Sequence, residues 1–513
     1  MEKTDTFNDC ITQGYATNSE AIMLGAAIFN GTPQKDALVK IPLKTLNRHG
    51  LISGATGTGK TVTLQLLAES MCAAGVPVLL LDLKGDLSGL AKAGSSNAKI
   101  EERHCIINIP YQAAATTTEF LTLSNEKGAR LRATVSEFGP VLFSKILELN
   151  DTQSGIVAML FKYADDKQLP LLDLEDFKEL LRFSTAGGKA EIQQQYGNLS
   201  TASTSTILRK IIELESQGAG LFFGEKSFDV QDLVRTDKNG KGIASIVRVA
   251  DIQDKPKLFS TFMLSLLAEI YASFPEAGDL EKPKLCIFID EAHLIFKEAS
   301  KSLLNQVESI IKLIRSKGIG VFFITQNPYD VPNAVLSQLG LKVQHALRAF
   351  TEKDRKAIKK TAENYPISEF YKTDELLTSL GIGQALVSAL NEKGIPTPLA
   401  AVHLKAPASR IGTLLPAELD EIIASSPLVQ KYNEVIDRES AYEILSGKIS
   451  GAGETPKAAP AKKTGEKPGK TLLEKASENT MVRQVGRTVA KEIARGLLGV
   501  LGFGGGKGKK GWF

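Results

Sequence analysis

Residues 51–67 read LISGATGTGKTVTLQLL, a short apolar lead that opens onto Gly54, Ala55, Thr56, Gly57, Thr58, Gly59, Lys60 and Thr61 before Val62 begins a run with helical spacing. The pattern G-x-x-x-x-G-K-T is that of a phosphate-binding P-loop. Its glycines let the backbone turn sharply and aim a nest of N–H groups at a β-phosphate, at the positive end of a helix starting near Gly59. Lys60 is placed to reach the β- and γ-phosphates, and the Thr61 hydroxyl to ligate Mg²⁺. Such an octet also arises by chance in glycine-rich turns. The apolar strand before it and the helix after it are the context the chemistry requires.

A P-loop needs an acid on an adjacent strand to hold the metal and a base to orient water. Roughly 230 residues downstream, residues 285–291 (LCIFIDE) form an apolar strand ending in Asp290, which would face the metal, and Glu291, which would polarise the attacking water. The bland alternative is a buried strand whose carboxylates serve as N-terminal charges of the next helix. Residues 320–326 (GVFFITQ) form the next strand and end in the polar Gln326. Eleven residues before it lies Arg315, at a helix end. The helix dipole alone accounts for an arginine there. An arginine finger supplied to a neighbouring subunit's ATP accounts for it equally.

At 513 residues the chain is too long for one ordinary core. Its 43% apolar and 23% charged residues are those of a soluble globular protein, and there is no uninterrupted apolar stretch long enough for a membrane span. The charged N-terminus is unlike a signal peptide, so the expected location is cytoplasmic. Cys10, Cys72, Cys105 and Cys286 are scattered, without C-x-x-C or nearby histidine spacing, which favours reduced core cysteines over a zinc or disulfide framework. His49, His104, His293, His345 and His403 are equally scattered and read as packing or capping residues. From residue 451 onward the net charge is +8, leaving −4 for the rest, so any nucleic-acid contact must come from a local stripe, a pore lining or the tail.

Six segments follow from the patterning. Residues 1–45 hold two short strands, 21–29 and 37–41, read as a β-cap. Residues 46–109 carry the P-loop and the apolar strand 76–83 (VPVLLLDL), which runs into Asp82, Lys84, Gly85 and Asp86, where carboxylates at a strand's C-terminal end are well placed to touch metal or nucleotide. Residues 110–241 change to helical spacing and read as an inserted helical subdomain. Residues 242–450 resume strand–helix alternation, the mark of a doubly wound parallel sheet, with a hairpin over 384–404 extending one edge. Residues 451–470 (GAGETPKAAPAKKTGEKPGK) are a flexible linker, and 471–513 a basic amphipathic tail suited to a subunit, nucleic acid or a membrane surface. The predicted fold class is α/β: a RecA-like P-loop NTPase with a mainly parallel central sheet.

GATGTGKT, LDLKGD, IFIDEAH, RSKGIGVFFITQNP and QLGLKVQHALRAFTEKD together resemble the HerA/FtsK superfamily of P-loop motor ATPases. More closely they resemble its YjgR-type HerA-like branch, over roughly residues 20–450. The resemblance implies a RecA-like core assembled as a hexameric homo-oligomeric ring with ATP between subunits. By that likeness Lys60 and Thr61 bind phosphate and Mg²⁺, Asp290 holds the metal through water and Glu291 is the catalytic base. Gln326 falls on the family's sensor, and Arg315 falls where related pumps place a trans-acting arginine, with Arg348 and Arg355 as second candidates. HerA proper has a sizeable β-barrel where only about 45 residues precede the P-loop here, so barrel-mediated assembly is not expected.

Two functions fit these residues. One is an ATP-hydrolysing ring motor acting on double-stranded DNA or another polymer. The other is an ATP-gated scaffold that engages a protein partner through the insertion or the tail. A small-molecule kinase fits poorly, because the double acid favours hydrolysis and no arginine-rich lid follows.

Overall fold

The computed structural model describes residues 2–297, 301–434, 436 and 438–451. The expected linker and basic tail therefore lie, apart from Gly451, outside the described residues. Twelve strands form one sheet. In chain order they are β1 (Ala21–Phe29), β2 (Thr32–Pro42), β3 (Gly50–Ser53), β4 (Val78–Asp82), β5 (Thr118–Thr122) and β6 (Ala129–Arg130). Then come β7 (Ala244–Arg248), β8 (Leu285–Ile289), β9 (Ile319–Thr325), β10 (Leu341–Gln344), β11 (Gln384–Ser388) and β12 (Ala400–Leu404). Their spatial order is β2-β1-β12-β11-β10-β3-β9-β8-β4-β7-β5-β6.

From β10 to β6 every neighbouring pair is parallel, and from β10 to β2 every pair is antiparallel. The fold is thus the predicted α/β class with a mainly parallel sheet. Parallel strands covered on both faces should read as continuous apolar runs, and β4 is such a case. Leu79 and Leu81 enter one core and Val78 and Leu80 the other. β9 divides likewise, with Val321 and Phe323 on one side and Phe322 and Ile324 on the other. Phe322 stacks on Phe288 of β8 at 4.8 Å between ring centroids, locking the two strands that carry Gln326 and the acid pair.

Between residues 110 and 241 five helices pack on the first of these faces: Val135–Ile146, Asp151–Asp166, Leu174–Thr185, Lys189–Tyr196 and Thr201–Ser216. Asp173 caps the third of them in a reciprocal box with Asp176. The same stretch also supplies β5 and β6, which lengthen the parallel sheet at its far edge. At the opposite edge, β1 and β2 pair beyond the β11–β12 hairpin, so the hairpin lies inside the sheet rather than at its rim. The N-terminal helix Glu2–Gly14 has no counterpart in the sequence patterning, because its apolar stripe is only Phe7 and Ile11, four residues apart. Both are fully buried, and Phe7 stacks on Phe29 of β1 and meets Phe370 edge-on. Among the described residues no helix is long and apolar enough to cross a membrane.

Candidate nucleotide site

The P-loop strand β3 and the acid strand β8 are not neighbours, because β9 lies between them. All three run parallel, so their C-terminal ends share one edge of the sheet, where open α/β sheets bind ligands. The P-loop leaves β3, Asp290 and Glu291 follow β8, and Gln326 directly follows β9, exposed between them.

The loop backbone is shaped from the residues behind it. Gly54 has φ +149° and lies against β10 so closely that a Cβ there would come within 2.6 Å of His345 Cβ. Ala55 N–H donates to Ala346 O at 2.9 Å, holding the loop to the same segment. At the tip, Thr56 and Gly57 are exposed, and Gly57 has φ +77° with no described atom near the position of a Cβ. Gly59, with φ +110°, caps the helix Lys60–Ala73, and the first turn of that helix carries Lys60, Thr61 and Val62. The unpaired N–H groups of such a turn and the helix dipole suit an anion.

Lys60 is buried. Its amine donates to Ala55 O at 3.1 Å, the carbonyl that also accepts from Thr58 Oγ1 at 2.7 Å. Burial and the nearby Lys84 charge lower its pKa, while Glu291 and Asp290 pull it back up. The amine therefore lies within electrostatic reach of both carboxylates, and residues distant along the chain meet in one site. Asp290 is also buried, which raises its pKa, against the opposing charge of Lys84. Its Oδ1 accepts from Glu291 N–H at 2.9 Å, while Oδ2 lies 3.6 Å from Lys84 Nζ. Glu291 has φ +46°, an uncommon conformation for a residue with a side chain. Ala292 N–H donates to Ile324 O of β9 at 2.9 Å and pins that turn.

Two further side chains complete the cluster. Lys84 Nζ lies 2.6 Å from Glu291 Oε1, and His293 Nδ1 lies 3.2 Å from Glu291 Oε2. Burial works against the Lys84 ammonium, but Asp290 and Glu291 together raise its pKa above the usual lysine value. The sequence pattern had marked the LDLKGD stretch for its carboxylates, yet Asp82 turns away from the acid pair and accepts from three N–H groups of its own loop. The signal for Lys84 was a basic residue just past a strand bonded to the acid strand, legible only once β4 is known to pair with β8. The other side of this loop lines a cavity of about 490 Å³ with Arg248, Lys127 and Asp420.

The donor set fits a magnesium triphosphate. It has an open glycine tip, a hydroxyl in the first helical turn and a buried carboxylate at the same edge of the sheet, all hard oxygen or N–H groups. Among the described residues no group of three or more His, Cys, Asp or Glu could hold a metal ion. The three arginines fall elsewhere. Arg315 is exposed and precedes β9, so the seven-residue strand sets it about 20 Å from the site edge of its own chain. Arg348 and Arg355 are exposed and follow β10, on the P-loop side.

A family model described as helicase HerA-like C-terminal matches residues 28–508. The chain belongs to this family. Similar proteins include the DNA double-strand break repair helicase HerA of Sulfolobus acidocaldarius, 23% identical over 361 residues, covering 68% of this HerA-like chain and 64% of that protein. The DNA import protein CedB of the same organism is 24% identical over 358 residues, covering 69% and 52% respectively. This chain thus spans less than two thirds of the length of either relative. Among solved structures, the plasmid coupling protein TrwB with ADP and Mg²⁺ aligns at 16% identity and a TM-score of 0.48, covering 78% of this chain and all of that one.

Two buried histidines are held in neutral form, His345 behind the P-loop and His49 at the opposite ends of β3 and β9. His345 Nδ1 faces the carbonyl of Gln384 at 3.0 Å and must carry the proton, so Nε2 accepts from Thr63 Oγ1 at 2.9 Å. In His49, Nε2 donates to Ile311 O at 2.9 Å and Nδ1 accepts from Val321 N–H at 3.0 Å. Burial lowers both pKa values from 6.5 to about 4. A depressed histidine stabilises the fold above pH 6.5 and loses that contribution as pH falls toward 4, about 3 kcal/mol for each residue. Denaturant unfolding from pH 7 to pH 4 should show this loss, with a shallower slope in His345→Gln.

Proposed function

We propose that the chain is a magnesium-dependent ATPase motor that assembles as a homo-oligomeric, six-membered ring and moves on double-stranded DNA. The observation that supports it most is the meeting of Lys60 with Asp290 and Glu291 at one edge of the sheet. In this reading residues 46–109 and 242–450 form the ATPase core, and 110–241 is its insertion. The N–H groups of the loop 54–61 and the Lys60 amine hold the β- and γ-phosphates, while Thr61 and Asp290 hold the metal. Bound magnesium neutralises charge on the phosphates. Glu291 takes the proton of the attacking water, and Gln326, between the two halves of the site, reads the γ-phosphate. Arg315, on the edge away from its own site, serves the site of a neighbouring subunit, with Arg348 and Arg355 as the alternatives from the P-loop side.

Duplex DNA is the substrate of choice because the family is helicase-like and the relatives above are named for DNA repair and DNA import. The test is steady-state ATP turnover with and without linear duplex DNA over a salt series. Turnover should rise severalfold with DNA, and DNA affinity should fall steeply as salt increases, because phosphate contacts release counterions. Turnover indifferent to nucleic acid of any form would instead favour the ATP-gated scaffold, with the insertion or the tail as its docking element.

A further inference from the structure

The position of Lys84 is set by its loop. Before it, Leu83 is buried and its carbonyl accepts from the Gln253 side chain. After it, the Asp82 carboxylate gathers the N–H groups of Gly85, Asp86 and Leu87 at 2.7, 3.2 and 3.1 Å. With both flanks fixed beside β8, the lysine stem carries its ammonium to 2.6 Å from Glu291 Oε1 and 3.6 Å from Asp290 Oδ2. The acids are buried, Asp290 3% and Glu291 9% exposed, whereas the Lys84 side chain is 40% exposed and can swing out to water.

That geometry has a chemical cost for catalysis. A carboxylate oxygen bound to an ammonium is a weaker proton acceptor, and Glu291 Oε1 is so bound to Lys84. A cation resting near Asp290 Oδ2 also repels a second cation from the same oxygen. On the far side, His293 Nδ1 lies 3.2 Å from the other Glu291 oxygen, but that oxygen is buried without a hydrogen-bond partner, so Lys84 is the group that engages the proposed base. Lys60 does not share this role, since its amine is turned to the carbonyl of Ala55.

We propose that Lys84 is a positioning residue, an internal counter-cation of the acid pair that holds Glu291 out of use until Asp290 is given over to magnesium. This rests on the ATPase reading of the same site and adds a restraint on it. An ATPase so restrained idles slowly and fires when its nucleotide is fully seated.

The test compares the full-length parent with Lys84→Met and Lys84→Arg, each shown by thermal melting to be folded. The Mg²⁺ dependence of binding a fluorescent ADP analogue is read without turnover, and ATP hydrolysis is measured separately without DNA. For Lys84→Met the half-saturating Mg²⁺ concentration should fall by about fivefold or more, as expected when a competing cation is removed from the carboxylate. Its kcat should rise with KM unchanged. Lys84→Arg keeps a cation and should stay within about twofold of the parent in both measurements. An unchanged Mg²⁺ dependence in Lys84→Met would reduce the pair to a surface ion pair and overturn the proposal. So would a fall in kcat with weaker nucleotide binding, which would make Lys84 a phosphate contact. If the parent binds the analogue but hydrolyses no ATP, the ATPase reading fails while the Mg²⁺ arm still decides the role of Lys84.

Discussion

Glu291→Gln should lower kcat for ATP by about 10³-fold while leaving nucleotide affinity nearly intact, the effect of removing a general base. The substitution is nearly isosteric, so the +46° backbone at this position is asked of the same side-chain shape. The groups proposed to bind the nucleotide, Lys60, Thr61 and Asp290, are untouched. An amide oxygen can still face Lys84 but cannot take a proton from water. Single-turnover assays should therefore find ATP bound and no phosphate released. A variant within about tenfold of the parent would remove Glu291 from its role and leave His293 and Asp290 as the remaining groups able to orient water.

Much of the candidate site is legible from letters alone because P-loop chemistry imposes local patterns. A P-loop must place glycines, a lysine and a threonine in one octet, and a metal-binding acid must end an apolar strand. Both requirements act on contiguous residues, so residues 54–62 and Asp290 with Glu291 could be named before any fold was known. The strands β4, β8 and β9 were legible for a related reason, since strands buried on both faces read as unbroken apolar runs. What escaped depends on pairing between distant segments. Lys84 enters the site only because β4 hydrogen-bonds to β8, and nothing in LDLKGD specifies that neighbour. The strands β5 and β6 are five and two residues long and sit among helices, too short to show a period. In the N-terminal helix, two apolar residues make a stripe only because Phe29 and Phe370 come from elsewhere to cover it.

Lys60→Met should separate binding from folding. An ammonium donating to phosphate contributes about 1.5–3 kcal/mol, so ATP affinity should fall by about 10- to 150-fold. Stability should not fall with it. Burial and Lys84 lower the Lys60 pKa by more than Asp290 and Glu291 raise it, so the folded chain holds this proton less tightly than the unfolded chain does. The charged form therefore opposes folding at neutral pH, and that opposition fades only as pH rises through the folded pKa toward the unfolded one. Methionine fills the same space without the charge. It forgoes one hydrogen bond to Ala55 O, a carbonyl that keeps Thr58 Oγ1 at 2.7 Å. The acid pair is not left bare either, because Lys84 remains 2.6 Å from Glu291. The expected result is a protein that melts at or above the parent's temperature and barely binds ATP, checked by thermal unfolding beside nucleotide titration. A melting temperature well below the parent's would mean that Lys60, not Lys84, neutralises the acids in the folded chain.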